Sequence, residues 1–206
     1  MARHRGPKAK ICRRFGENIY GNDKYDKILS SKGYGPGMHG KKFARNISEY
    51  GKQLLMKQKA KYTYGVLEKQ FRKHYEDVKN KPGVTGDLLL SRLEQRLDNV
   101  VYRIGLGNTR PQSRQIVNHG MIYVNGKKVT IPSYEVSIGD EISLNPNKAS
   151  NGYFKNQEQY TKAKKNIPSW LQMDAKSMKG KVLSLPVKDN FDANIDASII
   201  VEFYSK

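Results

Sequence analysis

The sequence predicts an α+β protein in which an extended basic N-terminal arm precedes a helical domain and a small helix-helix-hairpin-strand module. Apolar residues recur every three or four positions through most of residues 46–104, which is the spacing of amphipathic helices. An Asn-Gly pair at residues 125–126 lies between two short predicted strands, which indicates a β-hairpin. The chain has 206 residues, enough for one large domain or two small ones.

Residues 1–45 form the predicted extended arm, because Gly and Pro interrupt them repeatedly, most densely at residues 33–40. Residues 1–80 hold 20 Lys and Arg against 7 Asp and Glu, and the first fourteen residues hold six Lys and Arg and no acid. Such a segment does not fold alone but can become ordered on a phosphate surface.

Two helices are predicted after the arm. Asn46 and Glu49 have the spacing of a capping box, so the first helix is expected to follow them to about Tyr62. The second helix is expected at residues 64–78, where apolar positions lie three or four residues apart. Their side-chain orientations are also predicted, buried for Tyr64 and Tyr75 and outward for Lys52, Lys57 and Arg72.

The module begins with a long helical stripe that stops at Gly105, and its members are Leu89, Leu93, Leu97, Val100, Val101 and Ile104. A short helix follows, with Thr109 as its cap, Pro111 in its first turn and Gly120 after its last turn. Strands are predicted at residues 121–124, 127–129 and 141–144, and the turn between the first two requires positive φ at both of its residues.

The C-terminal part of the chain has weaker patterns. Residues 145–152 are predicted to form a loop, residues 153–165 a basic helix, and residues 182–185 a strand. Residues 167–171 indicate a strand or docking segment around a buried Trp170. Residues 199–204 are too apolar for a free tail, so they are expected to pack on the body of the protein.

The charge of the chain identifies its expected class of partner. Lys and Arg number 38 against 19 Asp and Glu, a formal net charge of +19, and such self-repulsion destabilises a compact protein that has no polyanionic partner. Nucleic acid is the leading partner and an anionic membrane surface the second, although no apolar run has the length of a membrane span. The basic start could also be a mitochondrial presequence, but Gly6 and Pro7 interrupt the helix that it needs.

Catalytic and metal-binding patterns are weak. The single cysteine, Cys12, excludes an intrachain disulfide and a Cys-rich zinc site, and no His has metal-ligand spacing. Ser113 and His119 are interpreted as a solvated or RNA-facing pair rather than a nucleophile and its base, and Asp98 as a salt-bridge or cap partner. We therefore expect no enzyme activity, no cofactor, no metal and no small-molecule substrate.

The short helix supplies the best nucleic-acid candidate. Arg110, Ser113 and Arg114 lie at i, i+3 and i+4 and so share one helix face, near free N–H groups that suit a phosphate. The alternative is an ordinary solvated basic surface. The two earlier helices mix Tyr with Lys and Arg, which suits base stacking combined with phosphate contacts. The predicted RNA-binding residues are Arg3, Arg5, Lys8, Lys10, Arg13, Arg14, Lys41, Lys42, Lys52, Lys57, Lys61, Arg72, Arg96, Arg110, Ser113, Arg114, His119, Asn125, Lys127 and Lys128.

Three blocks resemble the RNA-binding module named after the S-four family of small-subunit ribosomal proteins: RLEQRLDNVVYR at residues 92–103, SRQIVNHG at residues 113–120 and IYVNG at residues 122–126. That module is also appended to pseudouridine synthases, a tyrosyl-tRNA synthetase and a heat-shock RNA binder. The rest of the chain is similar to bacterial members of the ribosomal family itself, through GMHG at residues 37–40, YGVLEKQFR at residues 64–72, PSWL at residues 168–171 and IVEFYSK at residues 200–206.

The resemblance implies a domain plan. It comprises an arm (1–43), a helical domain (44–92, completed by about 180–206), the inserted RNA-binding module (93–155), and a basic helix with the Trp segment packing on the module (156–179). Some members bind zinc through a cysteine cluster in the arm, but only Cys12 matches it here, so no zinc is expected.

The resemblance also implies a function. It implies a cytoplasmic, ribosome-bound protein that binds small-subunit (16S) ribosomal RNA directly and nucleates assembly of the subunit body. It further implies a position at the messenger RNA entry channel, contact with the S-five ribosomal protein, an effect on decoding accuracy and, in some bacteria, repression of its own operon. The alternatives are an RNA-modifying enzyme anchored by the same module and a free RNA chaperone or regulator.

Overall fold

The computed structural model of the protein describes residues 4–41, 46–149, 154, 167–174, 177–192 and 194–205. The chain divides into two compact units, one formed by residues 1–89 with 193–206 and the other by residues 90–192. The first unit is helical and the second combines helices with one antiparallel sheet, so the predicted α+β class is confirmed. Among the described residues, no helix is both long and apolar enough to cross a bilayer.

The elements follow in chain order. The helices are α1 (Lys8–Phe15), α2 (Asp23–Ser31), α3 (Glu49–Tyr64), α4 (Glu68–Lys79), α5 (Thr85–Glu94), α6 (Leu97–Arg103), α7 (Arg110–Asn118), α8 (Pro146–Ala149) and α9 (Ala197–Ser205). The strands are β1 (Ile122–Val124), β2 (Lys127–Lys128), β3 (Glu141–Leu144), β4 (Leu171–Asp174) and β5 (Lys179–Val182), and a 3-10 turn covers Lys188–Asn190.

The prediction of a wholly extended arm is wrong, because residues 4–41 contain α1 and α2. Their apolar side chains form a small core whose buried members are Ile11, Cys12, Ile19 and Tyr20, packed against Phe15, Tyr25, Leu29 and Tyr62. Asn22 caps α2 by accepting a hydrogen bond from the Lys24 N–H at 3.0 Å. Local apolar packing therefore orders this segment despite its charge.

The predicted starts of the next two helices are also wrong. Ser48 is the N-cap of α3, and its Oγ accepts from the Gly51 N–H at 3.3 Å, so Glu49 lies in the first turn rather than closing a capping box. Gly65 ends α3 in the left-handed conformation, with φ +64°, and α4 starts only at Glu68. The burial of Tyr64 and Tyr75 is confirmed.

The C-terminal helix α9 packs on α3, which confirms that residues 199–204 are not a free tail. Its Ile200 is fully buried, and the Tyr204 ring stacks on Tyr75 at 4.8 Å between centroids. At Gly86, a Cβ would lie 2.8 Å from the Ala197 Cβ, so this approach of α5 to α9 requires glycine. The helical unit is therefore closed by residues distant in sequence.

The apolar stripe of residues 89–104 is buried as predicted, but two helices carry it instead of one. The chain is extended at Arg96, with φ −65° and ψ 133°, and Arg96 forms an antiparallel bridge with Glu135. Around it, Leu97 N–H donates to the Tyr134 carbonyl at 2.8 Å and Val136 N–H to the Gln95 carbonyl at 3.0 Å. These bonds to residues 134–136 replace the helical ones and separate α5 from α6.

The sheet has the strand order β2-β1-β3-β5-β4, and all its pairs are antiparallel. The hairpin turn is confirmed, with φ +50° at Asn125 and +76° at Gly126. The core beneath the sheet contains Trp170, which is fully buried, together with Ile104, Val117 and Ile142.

Four C-terminal predictions change or fall outside the structure. The strand predicted at 182–185 ends at Val182 instead, and residues 180–192 belong to the sheet unit rather than to the helical domain, because β5 pairs with β3 and β4. The predicted loop at 145–152 contains the short helix α8. The predicted helix at 153–165 lies outside the described residues apart from Phe154, which is buried. The other proposed domain boundaries stay predictions.

Candidate nucleic-acid interface

Half of the predicted RNA-binding residues are exposed: Arg5, Lys10, Arg14, Lys41, Lys52, Arg72, His119, Asn125, Lys127 and Lys128. Lys8, Arg13, Lys61 and Arg110 are half-buried, and Lys57, Arg96, Ser113 and Arg114 are buried. Arg3 and Lys42 lie outside the described residues. The structure therefore separates cations that can meet an RNA phosphate from cations that are occupied inside the fold.

The helical unit carries further exposed cations that are not among the twenty predicted RNA-binding residues. They are Lys24, Lys27, Lys32, Lys69, Lys73, Lys79 and Lys81. Those at residues 24, 27 and 32 were overlooked because the arm was predicted to be extended, although Asn22 followed by Asp23 is a helix-start signal. With Arg5, Lys10, Arg14 and Lys41, they make residues 4–41 strongly basic at the surface.

Arg13 holds the Gly-rich loop of residues 33–40 onto α1. Its Nε donates to the Tyr34 carbonyl oxygen at 3.1 Å and its Nη2 to the Gly35 carbonyl oxygen at 2.8 Å. The guanidinium also lies 4.7 Å from the centroid of the Tyr34 ring, where a cation–π contact is favourable. Arg13 therefore fixes the loop and presents a positive charge at the same place.

The prediction that Lys57 faces outward is wrong. Its Nζ lies 2.7 Å from Glu68 Oε1 and 4.5 Å from the Phe203 ring centroid, and its side chain is only 6% exposed. Lys61 Nζ is 3.1 Å from the other Glu68 oxygen, and the Tyr204 hydroxyl donates to Glu68 at 2.8 Å. Although burial alone would raise the pKa of Glu68, the hydrogen bonds from Lys57, Tyr204 and Lys61 lower it. This cluster therefore joins α3, α4 and α9.

The predicted basic face of α7 is not an exposed face, because two of its three members are buried. Arg114 Nη1 lies 2.7 Å from Asp98 Oδ2, and Arg96 makes a bidentate pair with the same carboxylate at 3.0 and 3.2 Å. Ser113 Oγ donates to the Thr109 carbonyl at 3.2 Å. A buried carboxylate requires cations beside it, which is why both arginines turn inward. The interpretation of Asp98 as a salt-bridge partner is confirmed.

Arg110 extends this internal network at its edge. Its Nε donates to Asn99 Oδ1 at 2.8 Å, and its Nη2 lies 2.7 Å from Asp192 Oδ2. Arg103 pairs with Asp192 at 3.1 Å and also with the fully buried Glu94. Burial alone would raise the pKa of Asp192, but Arg110 and Arg103 outweigh it and lower that pKa. The arginines of the module thus stabilise its fold.

The hairpin keeps the module's free positive charge. Lys127 and Lys128 are exposed on β2, and within the described part of the chain neither has a carboxylate partner. Asn125 is exposed, but its amide is used internally: Nδ2 donates to Asp140 Oδ1 at 2.7 Å, and Oδ1 accepts from the Glu141 N–H at 2.9 Å. Asn125 therefore shapes the turn that presents the two lysines.

Ser113 and His119 are not arranged as a catalytic pair. Ser113 is fully buried and donates to Thr109, whereas His119 is exposed, so the two do not form a nucleophile–base pair. Among the described residues, no group of three or more His, Cys, Asp and Glu has an arrangement that could hold a metal ion.

Comparisons with known proteins match the whole chain to one family. The family model described as "Ribosomal protein S4/S9 N-terminal domain" matches residues 3–94, and the model described as "S4 domain" matches residues 95–142. Proteins named "Small ribosomal subunit protein uS4" are 46% identical in a Roseiflexus species and 47% identical in Chloroflexus aurantiacus, with 100% of both chains covered. The protein of that name in Borreliella burgdorferi is 44% identical, over 100% of this chain and 99% of its own. The chain therefore belongs to the uS4 family of small ribosomal subunit proteins.

Proposed function

We propose that this protein binds small-subunit (16S) ribosomal RNA directly, before other proteins are present, and thereby nucleates assembly of the subunit body. The observation that carries the proposal is the exposed positive surface of residues 4–41 combined with a formal net charge of +19. Phosphate neutralisation by such a surface releases counterions, which supplies affinity without a protein partner. Because the chain belongs to a family of small-subunit ribosomal proteins, ribosomal RNA is the polyanion that this surface is expected to bind.

Two surfaces carry the proposed contact. The main one is the arm, where Arg5, Lys10, Arg14 and Lys41 are exposed. The second is the hairpin turn with Lys127 and Lys128. Arg96 and Arg114 take no part in it, because both are already bound to Asp98 inside the module.

The proposal extends to the place of the protein in the assembled subunit. We infer that it resides in the cytoplasm on the ribosome, contacts the S-five protein, lies near the messenger RNA entry channel and affects decoding accuracy. It acts as a structural component rather than an enzyme. The burial of Ser113, whose hydroxyl is bound to the Thr109 carbonyl, and the exposure of His119 support this last point, since this pair is the nucleophile–base candidate that the sequence offers.

The direct test measures binding of the purified protein to protein-free ribosomal RNA of the small subunit over a series of salt concentrations. Replacing Arg5, Lys10 and Arg14 by Ala should reduce the log–log salt slope by about 2–3, since each phosphate contact contributes roughly 0.7–0.9. The matched control replaces by Ala the residues Lys73, Lys79 and Lys81, which are also exposed in the helical unit. Equal losses from both triple variants would contradict an arm-centred interface.

Sedimentation tests the ribosomal assignment separately. The protein should move with small subunits through a gradient of cell lysate and withstand a moderate salt wash. A protein that stays at the top of that gradient would instead be a free RNA chaperone or regulator. Turnover of ribosomal RNA by the purified protein alone would support an RNA-modifying enzyme.

A further inference from the structure

A basic cleft of about 530 Å³ lies between α1, α2 and the Gly-rich loop of residues 33–40. Lys10, Arg13 and Lys32 supply cations to its lining, and Ala9, Ile28 and Pro36 supply apolar surface. None of the described residues that line it is acidic. Its volume falls within the roughly 300–1,000 Å³ of sites that hold small organic molecules.

Two of the cleft's cations are available to a ligand. Lys10 and Lys32 are exposed, and among the described residues neither has a carboxylate partner. Most basic side chains of the module differ in this respect, since Arg96, Arg103, Arg110 and Arg114 are all paired. The charge of the cleft is therefore uncompensated within the described fold, which favours an anion.

The third cation and the loop are held in place before any ligand arrives. Arg13 is fixed by its bonds to the carbonyl oxygens of Tyr34 and Gly35 and by the Tyr34 ring. At Gly40, a Cβ would clash with the Gly35 carbonyl oxygen, so the loop folds onto itself in a way that only glycine permits. Because Arg13 and the Gly-rich loop are already ordered, they lose little conformational entropy when a ligand binds.

We propose that this cleft takes one unpaired nucleotide of an RNA strand. Lys10, Lys32 and Arg13 bind its phosphate, and the apolar wall of Ala9, Ile28 and Pro36 contacts its base. An unpaired nucleotide offers both chemistries in one unit, whereas a paired base is held inside its duplex. This inference rests on the proposed RNA-binding function and adds to it a specific recognition site in the arm.

The first experiment uses Ala9→Trp, which fills the cleft with a large side chain and leaves the charge of the cleft unchanged. Fluorescence anisotropy compares an RNA hairpin that carries a single-nucleotide bulge with the same hairpin fully paired. The protein should prefer the bulged RNA by about tenfold, the effect of roughly one hydrogen bond to a charged group. Ala9→Trp should abolish this preference, whereas the control Ser30→Trp, at an exposed position of α2, should retain it. A preference that survives Ala9→Trp overturns the proposal.

The second experiment removes charge and does not depend on how well the Trp variant folds. The double variant Lys10→Ala/Lys32→Ala should lose the preference for the bulge. The matched control Lys24→Ala/Lys27→Ala removes two charges that are also exposed but lie outside the cleft, and it should weaken the binding of both RNAs alike. Equal behaviour of the two double variants overturns the proposal.

A third experiment distinguishes a nucleotide within an RNA strand from a free nucleotide. Adenosine and uridine monophosphates, titrated while the anisotropy of bound bulged RNA is followed, should compete only weakly, because they lack the flanking phosphates that other arm cations bind. Tight binding of a monophosphate without any preference for bulged RNA overturns the RNA assignment. The cleft tests can fail while the protein still binds small-subunit ribosomal RNA. In that case the proposed function stands, and only the proposal for the cleft is excluded.

Discussion

Replacing Asp98 by Ala should destabilise the sheet unit severely. The Asp98 carboxylate accepts three hydrogen bonds, two from Arg96 and one from Arg114. The side chains of Asp98, Arg96 and Arg114 are 6%, 1% and 6% exposed, so bulk water hardly solvates these charges in the folded state. The variant would keep two buried guanidinium groups without their anion.

The size of the effect follows from this burial. Removing one partner of a buried ion pair costs about 3–5 kcal/mol, because the remaining charge is uncompensated. Domains are stable by only about 5–15 kcal/mol, so the variant should lose roughly a fifth or more of its stability. At an m-value of roughly 2 kcal/mol per molar urea, the midpoint of unfolding should fall by about 2 M.

Trp170 provides the assay. It is the only tryptophan of the chain, and it is fully buried in the core of the sheet unit, so its fluorescence in urea reports the unfolding of that unit. The control is Glu141→Gln, which removes an exposed pair with Lys179 and should cost less than about 1 kcal/mol. The double variant Asp98→Ala/Arg114→Met should lose about 1–3 kcal/mol less free energy of unfolding than the sum of the two single losses, because it leaves one buried guanidinium group fewer without its anion.

Two results would refute this reasoning. One is a loss of stability for Asp98→Ala as small as that of Glu141→Gln. The other is an Arg114→Met variant that has the urea midpoint of the unchanged protein but a smaller salt slope of RNA binding. Arg114 would then be the RNA contact that the sequence predicts.

Three further predictions concern charge and packing. Replacing Lys127 and Lys128 by Ala should lower the salt slope of RNA binding by about 1.4–1.8. The control Lys188→Ala should leave the slope unchanged. If the slope is unchanged in the Lys127/Lys128 variant as well, the hairpin is not part of the interface. Because the pKa of Asp192 is lowered in the folded state, its stabilising effect is complete above about pH 4 and is lost as pH falls through the lowered value. Asp192→Asn should therefore be less stable at neutral pH and lose less stability on acidification, as urea titrations at each pH would show. Leu97→Ala should cost about 2–5 kcal/mol, since Leu97 is fully buried, and a smaller cost would mean that the core collapses around the vacancy.

Several features of this protein were predictable because their causes lie within a few residues. Thr109 caps α7 by accepting from the Gln112 N–H, and Asn125 with Gly126 forms the expected turn at positive φ. The apolar spacing of residues 89–104 also identified core positions, since burial follows helical periodicity. The overall charge pointed to nucleic acid for a similar reason, because it is a sum over composition and does not depend on the fold.

The placement of individual charges was decided only by the tertiary structure. Lys57 meets Glu68, Arg114 meets Asp98, and Arg110 meets Asp192, at separations of 11, 16 and 82 residues along the chain. The break between α5 and α6 likewise depends on Glu135 crossing beside Arg96. A periodicity shows which face of a helix a cation occupies, but whether a carboxylate neutralises it there depends on contacts between distant residues. The sequence by itself therefore determined the local elements and the net charge, whereas the folded chain selected the cations that are left for RNA.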